Sequence, residues 1–359
     1  MCRTGGKSVS STRGAAQFGD KSKAKKPLGE GLMKIVIPVA GKGTRLLPLT
    51  KEVPKPLVSV AGRPVLDHVM DKIEGLDVEE VIFITGHLKE NIEAYVTSKY
   101  SFPARFVEQQ VQDGTAGAIN LARPFVDGPL LIIFVDTVFD ADLSIMNDVD
   151  ADGILWAKEV EDYQRYGVIV TDDNGYMQRI VEKPSEPISK LANIGLYYIR
   201  DSDTMFEGIA KTLEGPKMKG EWYLTDAFQY MIDNGRKLLT AEVGGWYDCG
   251  KVETVIATNR HLLESGGARV PDDTAGVTVK EPVYVANGVK LSNCTIGPNV
   301  SLENGAELDG CTLVDTLVAE GAKISDSRLE HCLVGPNANV VGQDLTNMVA
   351  TKDEVAPAP

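Results

Sequence analysis

The residues best equipped for chemistry begin directly after a short apolar run. Ala40-Gly41-Lys42-Gly43-Thr44-Arg45 is followed by Leu46-Leu47-Pro48-Leu49-Thr50 and then Pro54-Lys55-Pro56. Glycines at the end of a buried strand let backbone N–H groups approach an anion closely. Arg45 and Lys55 add two cations to the same rim. The spacing fits neither the P-loop nor the GxGxxG fingerprint, and Gly-x-Gly alone also makes a tight turn. Two cations ten residues apart favour the anion-binding reading over the turn. Asp136 closes the apolar run Leu130–Val135, and Asp248 lies in Trp246-Tyr247-Asp248-Cys249-Gly250. Carboxylates far apart in sequence are what a magnesium ion between phosphates needs, because it uses few protein ligands. Asp248, just ahead of a helical pattern, has a helix cap as its rival reading. Glu182-Lys183-Pro184 places opposite charges side by side, a solvated pair by default. The histidines, His68, His87, His261 and His331, lie far from one another and from any Ser or Cys nucleophile pattern. Triad chemistry is therefore unsupported.

These residues need a frame. Lys34–Ala40, Glu80–Gly86, Ala104–Gln110 and Leu130–Asp136 read as strands, the last buried on both faces. PVLDHVMDKIEG, LKENIEAYVTSKY and TAGAINLARPF between them carry helical spacing. This alternation predicts an α/β fold with a mostly parallel mixed sheet, whose ligands sit at the carboxyl ends of strands, in the loops after Ala40 and Val135. Val168–Thr171 and Met177–Glu182 flank a hairpin signal, Asn193–Arg200 reads as a strand, and Tyr223–Asn234 and Val252–Glu264 read as helices. Beyond the linker-like SGGARVPDDTAG the period changes. Aliphatic residues recur every five or six positions from Val285 to Val340, and NGVKLSNCTI, NGAELDGCTL and EGAKISDSRL begin at Asn287, Asn304 and Glu320. Such stepping is the mark of a parallel β-helix. Cys294, Cys311 and Ser327 fall at equivalent repeat positions, which favours small buried core residues over a metal site.

Composition bounds the rest. The 359 residues hold 37 Lys+Arg against 51 Asp+Glu, a net charge of −14, which disfavours a nucleic-acid partner. No apolar run is long enough for a membrane span. The five cysteines lack CxxC spacing and are odd in number, as expected of reduced thiols in a cytoplasm. Residues 1–32 read as a disordered basic tail with no secretory signal, and Met33 as the start of the folded chain.

The span VAGKGTRLLPLTKEVPKPL resembles the first signature of the sugar-1-phosphate nucleotidylyltransferases. Its wording is close both to glucose-1-phosphate thymidylyltransferases and to UTP–glucose-1-phosphate uridylyltransferases. Later segments match in order, from about Met33 to Glu264, and long-form members also carry a C-terminal β-helix. The resemblance implies a Rossmann-like nucleotidyltransferase domain followed by a short left-handed parallel β-helix. The expected boundaries are 33–264 for the catalytic domain, 265–280 for a linker, 281–343 for the hexapeptide-repeat coil and 344–359 for a flexible tail.

The resemblance also implies roles. Ala40, Gly41, Gly43 and Thr44 would hold the nucleotide, with Arg45 on the β- and γ-phosphates and Lys55 between the α-phosphate and the leaving pyrophosphate. Gln109 would read a pyrimidine edge, although an ordinary strand-end polar residue is the alternative. Gly114 and Thr115 would lie beside the base or ribose. Asp136 and Asp248 would hold Mg²⁺. Gly167 and Glu182 would meet sugar hydroxyls, Lys183 would bind the sugar phosphate, and Asn193 resembles the asparagine of N-acetylglucosamine-1-phosphate uridylyltransferases. Glu221 and Thr225-Asp226 match a further family segment. Val135 stands where the family commonly has glycine, and its branched side chain is expected to narrow the site. The implied substrates are an NTP, with dTTP or UTP favoured, and a sugar 1-phosphate, with glucose 1-phosphate favoured. GTP with mannose 1-phosphate is the nearest alternative. A non-catalytic regulatory subunit is disfavoured by the joint presence of Arg45, Lys55, Asp136, Lys183 and Asp248. Acyl transfer in the coil is disfavoured by its shortness and single histidine, His331. The coil is expected to mediate homo-oligomer formation.

Overall fold

A computed structural model describes residues 32–270 and 276–359; the expected N-terminal tail lies outside the described residues apart from Leu32. Strands Met33–Pro38, Val78–Thr85 and Ala104–Glu108 run parallel, and Leu130–Ile133 adds to the other side of Met33–Pro38, also parallel. Leu191–Ile199 then joins antiparallel and leads to the antiparallel hairpin Gly167–Thr171 and Met177–Glu182. The chain thus forms one mixed sheet of nine strands. The central residues of its inner strands, such as Ile35, Val36 and Ile37, Val81, Ile82 and Phe83, and Leu130, Leu131 and Ile132, are apolar on both sides because both faces are covered. Ile35, Ile37, Leu131 and Ile133 enter one core layer, while Val36, Leu130 and Ile132 enter the other. Helices Val65–Lys72 and Val252–Leu262 contribute to the first layer, and Thr115–Asn120, Ser202–Glu214 and Leu224–Asp233 to the second. No helix among the described residues is long and apolar enough to cross a membrane.

The expected strands and helices are found within a few residues of their anticipated ends. Two sheet strands lie outside that reading, Gly153–Glu159 and Leu238–Glu242, which pair with each other in parallel. Helix Ser202–Glu214, N-capped by Asp201, which accepts from Thr204 N, was likewise not anticipated. Strand Thr137–Asp140 pairs antiparallel with Gly245–Asp248, aligning Thr137 with Asp248. That pairing carries Asp248 to the end of the sheet where Asp136 stands.

The C-terminal region is wound into three parallel sheets. Lys290 aligns with Glu307, Glu307 with Lys323 and Lys323 with Asn339, so the coils stack at the 17- and 16-residue steps of the sequence repeat. Each coil buries its aliphatic edge on the next, as in Leu291, Leu308, Ile324 and Val340. Cys294, Cys311 and Ser327 are buried, and each donates to the carbonyl two residues before it, at 3.0, 3.1 and 2.7 Å. Two boundary expectations are corrected. The first coil strand is already Thr278–Val279, inside the expected linker. Residues 344–359 are not a loose tail. Asp344–Thr346 and Met348–Ala350 complete another coil, and Val355–Pro357 folds back antiparallel onto it. Leu345 and Ala350 face inward there, so their burial stabilises a segment that looks polar in sequence.

One side of the coil rests on the N-terminal domain. Leu317, Leu333 and Val349 join the first core layer. Buried Asn259 accepts from Ala61 N at 2.8 Å and Ser301 Oγ at 2.6 Å, and donates to Asn299 O at 3.0 Å. Gly62, at φ +76°, lies so close to Tyr284 that an added Cβ would stand 2.0 Å from the ring. Gly62→Ala should therefore destabilise the protein by about 1–3 kcal/mol through overpacking. A thermal melt reads this, and an unchanged Tm would mean that the coil does not seat there.

Candidate functional site

Two cavities open at the carboxyl end of the sheet, and they share a wall. The smaller, about 230 Å³, is lined by Ala40, Gly41, Gln109, Gln112, Gly114 and Thr115. The larger, about 500 Å³, takes in Arg45, Gly167, Glu182, Lys183, Asn193 and Asp248. Lys55, Thr115, Phe134, Asp136 and Glu221 line both. The structure thus brings most of the expected residues together, with Lys55 and Asp136 at the junction. Gly43 and Thr44 line neither cavity.

On the smaller side, Gly43 is the left-handed residue, φ +63°, that turns the chain into Thr44–Leu46. Thr50 Oγ1 donates to Gly43 O at 2.8 Å, so the loop hangs on the segment that leads to Lys55. Gly114 has φ +115°, and a Cβ there would lie 2.3 Å from Trp222 O, so only glycine fits. Gln109 is buried, and its Nε2 donates to Asp113 Oδ1 at 3.0 Å. Gln112, unremarked in the sequence, donates to Ala40 O at 2.7 Å across the recess. Val135 is 4% exposed; it packs into the core and also lines the smaller cavity.

At the junction Lys55 Nζ lies 3.4 Å from Asp136 Oδ2. Asp136 is fixed through its backbone, because Cys249 N donates to its carbonyl at 2.7 Å. Asp248 Oδ1 accepts from Gly250 N at 2.7 Å, closing a turn, whereas the N-cap of the following helix is Lys251. The capping alternative therefore accounts for one carboxylate oxygen only. The donor set at Asp136 and Asp248 is oxygen alone, suited to a hard cation. Among the described residues no group of three or more metal-ligating side chains forms, and two carboxylates fit an ion that keeps its waters and binds substrate phosphates.

On the larger side a Cβ on Gly167 would sit 2.3 Å from Asn193 Nδ2 and 2.8 Å from Glu182 Oε2. Asn193 donates to Gly167 O at 2.7 Å and accepts from the Tyr197 hydroxyl. Both ends of its amide are engaged within the protein, so it props Gly167. Glu182 accepts from Thr225 Oγ1 at 3.1 Å, and burial pushes its carboxyl above the usual range. Burial works against the Lys183 ammonium, but the hydrogen bond to Tyr223 and the Glu182 carboxylate outweigh it, and its pKa is raised. Arg165, a further cation on this wall, pairs with Asp162 at 2.8 Å and lies 5.4 Å over the Tyr166 ring. Its position beside Tyr166-Gly167 was the only signal for it. Trp246 packs edge-on to Tyr166, 5.1 Å between centroids, and its buried indole N–H has no partner.

Four cations, Arg45, Lys55, Arg165 and Lys183, therefore converge in a chain of net charge −14. No histidine lines either cavity. His68 and His87 meet backbone carbonyls, His261 stacks on Tyr247, and His331 faces Asp315. A wider opening, about 870 Å³, lies between the two domains and is walled by Glu52, Glu303 and Glu320 against Lys352. Its acidic lining makes it a poor place for phosphates.

Comparison with known proteins follows the same lines. A family model described as nucleotidyl transferase matches residues 34–265. A bifunctional protein GlmU of Methanococcus aeolicus is 38% identical over 65% of this chain and 55% of its own. This chain thus spans little more than half the length of that relative. A UTP–glucose-1-phosphate uridylyltransferase, AglF, of Haloferax volcanii is 33% identical over 65% of this chain and 97% of its own. A glucose-1-phosphate thymidylyltransferase of Streptomyces griseus is 28% identical over 86% and 93%. A crystal structure of UDP-glucose pyrophosphorylase with UDP-glucose shares the fold, at TM-score 0.58 and 24% identity, over 66% of this chain and 100% of its own.

Proposed function

The chain belongs to the nucleotidyl transferase family, among its sugar-1-phosphate nucleotidylyltransferases, and from that premise we propose that it makes a nucleoside-diphosphate sugar and pyrophosphate. The favoured substrates are dTTP or UTP with glucose 1-phosphate. The observation that carries the reading is the meeting of a small glycine-walled recess and a larger polar cavity at Lys55 and Asp136. A phosphate oxygen of the sugar 1-phosphate attacks the α-phosphorus in line, the bond from that phosphorus to its bridging oxygen breaks, and pyrophosphate leaves. Such transfer asks the protein for positioning and charge neutralisation. Lys183 holds the attacking phosphate, Glu182 and the Gly167 backbone take the sugar hydroxyls, and Lys55 and Arg45 neutralise the α-phosphate and the leaving pyrophosphate. Asp136 and Asp248 would hold Mg²⁺, which when bound supplies charge neutralisation between the phosphates. Gln109 and Gly114 meet the base, and the relatives named for UTP and for thymidylyl transfer support a pyrimidine.

The test is pyrophosphate release with Mg²⁺ across a matrix of NTPs and sugar 1-phosphates. Activity confined to dTTP or UTP with glucose 1-phosphate is expected, and silence with folded protein would overturn the reading. Glu182 adds a pH signature, since its ionised carboxylate accepts hydroxyl hydrogens more strongly than the protonated acid does. Its raised pKa means that affinity for the sugar 1-phosphate should fall, as pH drops, above the about 4.3 of a solvated glutamate. Glu182→Gln should raise that KM about tenfold and remove this part of the acid limb. What remains in the variant is the titration of the substrate phosphate, near pH 6. An acid limb identical in both proteins would clear Glu182.

The five- and six-residue spacing supports reading the coil as left-handed. Asn339–Val341 and Asp344–Thr346 end their sheets without a further strand among the described residues. Such edges seek cover, and we read the protein as a homo-oligomer; a monomer by light scattering would overturn this. Four buried free thiols support a cytoplasmic setting.

A further inference from the structure

We propose that Tyr223 is a positioning residue for Lys183, sharing its ammonium with Glu182 at the sugar-phosphate cavity so that the carboxylate does not take it alone. The inference rests on the transfer reading above. Lys183 Nζ donates to the Tyr223 hydroxyl at 3.2 Å and lies 4.5 Å from the centre of the Tyr223 ring. Glu182 Oε1 is the competing acceptor, 3.5 Å from the same nitrogen. Lys183 also takes a left-handed backbone, φ +43°, and its N–H donates to Tyr166 O at 2.9 Å, so its stem is fixed while its head touches both partners.

The sharing has consequences for both charges. An ammonium drawn onto Glu182 would offer less charge to a phosphate, and the carboxylate would offer less to a sugar hydroxyl. The phenol oxygen and ring face hold the ammonium without consuming an anion. Tyr223 is itself 5% exposed and held from the nucleotide side. Trp222 N donates to Asp113 O at 2.8 Å, Ala116 N to Trp222 O at 3.0 Å, and Leu224 N to Thr115 Oγ1 at 2.9 Å. A strap pinned to the nucleotide recess thus sets the sugar-phosphate lysine. None of these pins uses the phenol hydroxyl, so removing it should leave the nucleotide side unchanged.

The experiment compares wild type, Tyr223→Phe and Tyr223→Leu. Binding of glucose, N-acetylglucosamine and mannose 1-phosphates is read by calorimetry, and turnover by pyrophosphate release. Tyr223→Phe should weaken sugar-1-phosphate binding and raise its KM by about tenfold, as for loss of a hydrogen bond to a charged group. The KM for NTP should hold, and kcat should change by less than about threefold. Tyr223→Leu, which also loses the ring face, should be weaker still. Sugar-1-phosphate binding by Tyr223→Phe equal to wild type would overturn the proposal, as would equal losses on the NTP side. Wild type that binds a sugar 1-phosphate but releases no pyrophosphate would overturn the transfer reading, and the binding comparison would still decide Tyr223. Wild type that binds none of the three would overturn both.

Discussion

Asp136→Asn should lower pyrophosphate release by about 10³-fold while leaving the fold intact, the largest effect expected of any single substitution here. The side chain is isosteric, and the residue is held through its backbone by Cys249 N rather than through its charge. The carboxylate is 49% exposed, so its ion pair with Lys55 adds little to stability. Two losses follow from one change. The hard-oxygen pair with Asp248 loses half of its charge, so more Mg²⁺ should be needed for half-maximal activity. Lys55, 3.4 Å away, also loses the group that holds it at the junction of the two cavities. Lys55→Ala in the wild-type background separates these, because it should lower turnover without moving the Mg²⁺ requirement. Chelation should silence the wild type and be reversed by added Mg²⁺. An Asn variant within threefold of wild type, with an unchanged Mg²⁺ titration, would remove Asp136 from the site.

Much of the frame was legible because both faces of the inner strands are buried. Ile35 and Val36 are adjacent and enter opposite core layers, which forces a continuous apolar run rather than an alternating one. The coil was legible for a different reason. A unit that repeats at 17 and 16 residues can bury its edge only by stacking in register, as Leu308 does on Leu291. The last coil hid because its strands are three residues long and show one inward aliphatic each, Leu345 between Asp344 and Thr346. Gly153–Glu159 hid because its partners, Leu191–Ile199 and Leu238–Glu242, come later in the chain.

The site divides in the same way. Gly114 and Gly167 announce themselves because a side chain cannot be accommodated at either position. Asn193 announced a place but not a task. Only the three-dimensional arrangement shows its amide spent on Gly167 and Tyr197. Tyr223 gave no signal of its own task, because its partner lies forty residues earlier and the contact exists only once the strap 222–224 is pinned to 113–116. Residues that line the cavities thus leave local marks through glycine and charge. Residues that place them leave none, since their contacts are tertiary.

Arg45→Ala is the sharpest test of the leaving-group side, because Arg45 has so little else to do. It is exposed in the turn Thr44–Leu46, lines the larger cavity, and makes no ion pair among the described residues. Its removal should therefore change stability by no more than about 0.5 kcal/mol, as for a surface position without partners. Turnover should nevertheless fall by about 10²-fold or more, the cost of one charge contact that strengthens as pyrophosphate departs. The loss should fall on kcat more than on the KM for NTP, since the charge it meets grows between ground state and transition state. Arg45→Lys should recover only part of the activity, because an ammonium lacks the bidentate fork of guanidinium. An equal rise in KM with kcat intact would mean that Arg45 merely attracts the triphosphate, and near-wild-type turnover would leave Lys55 as the only cation at the departing group.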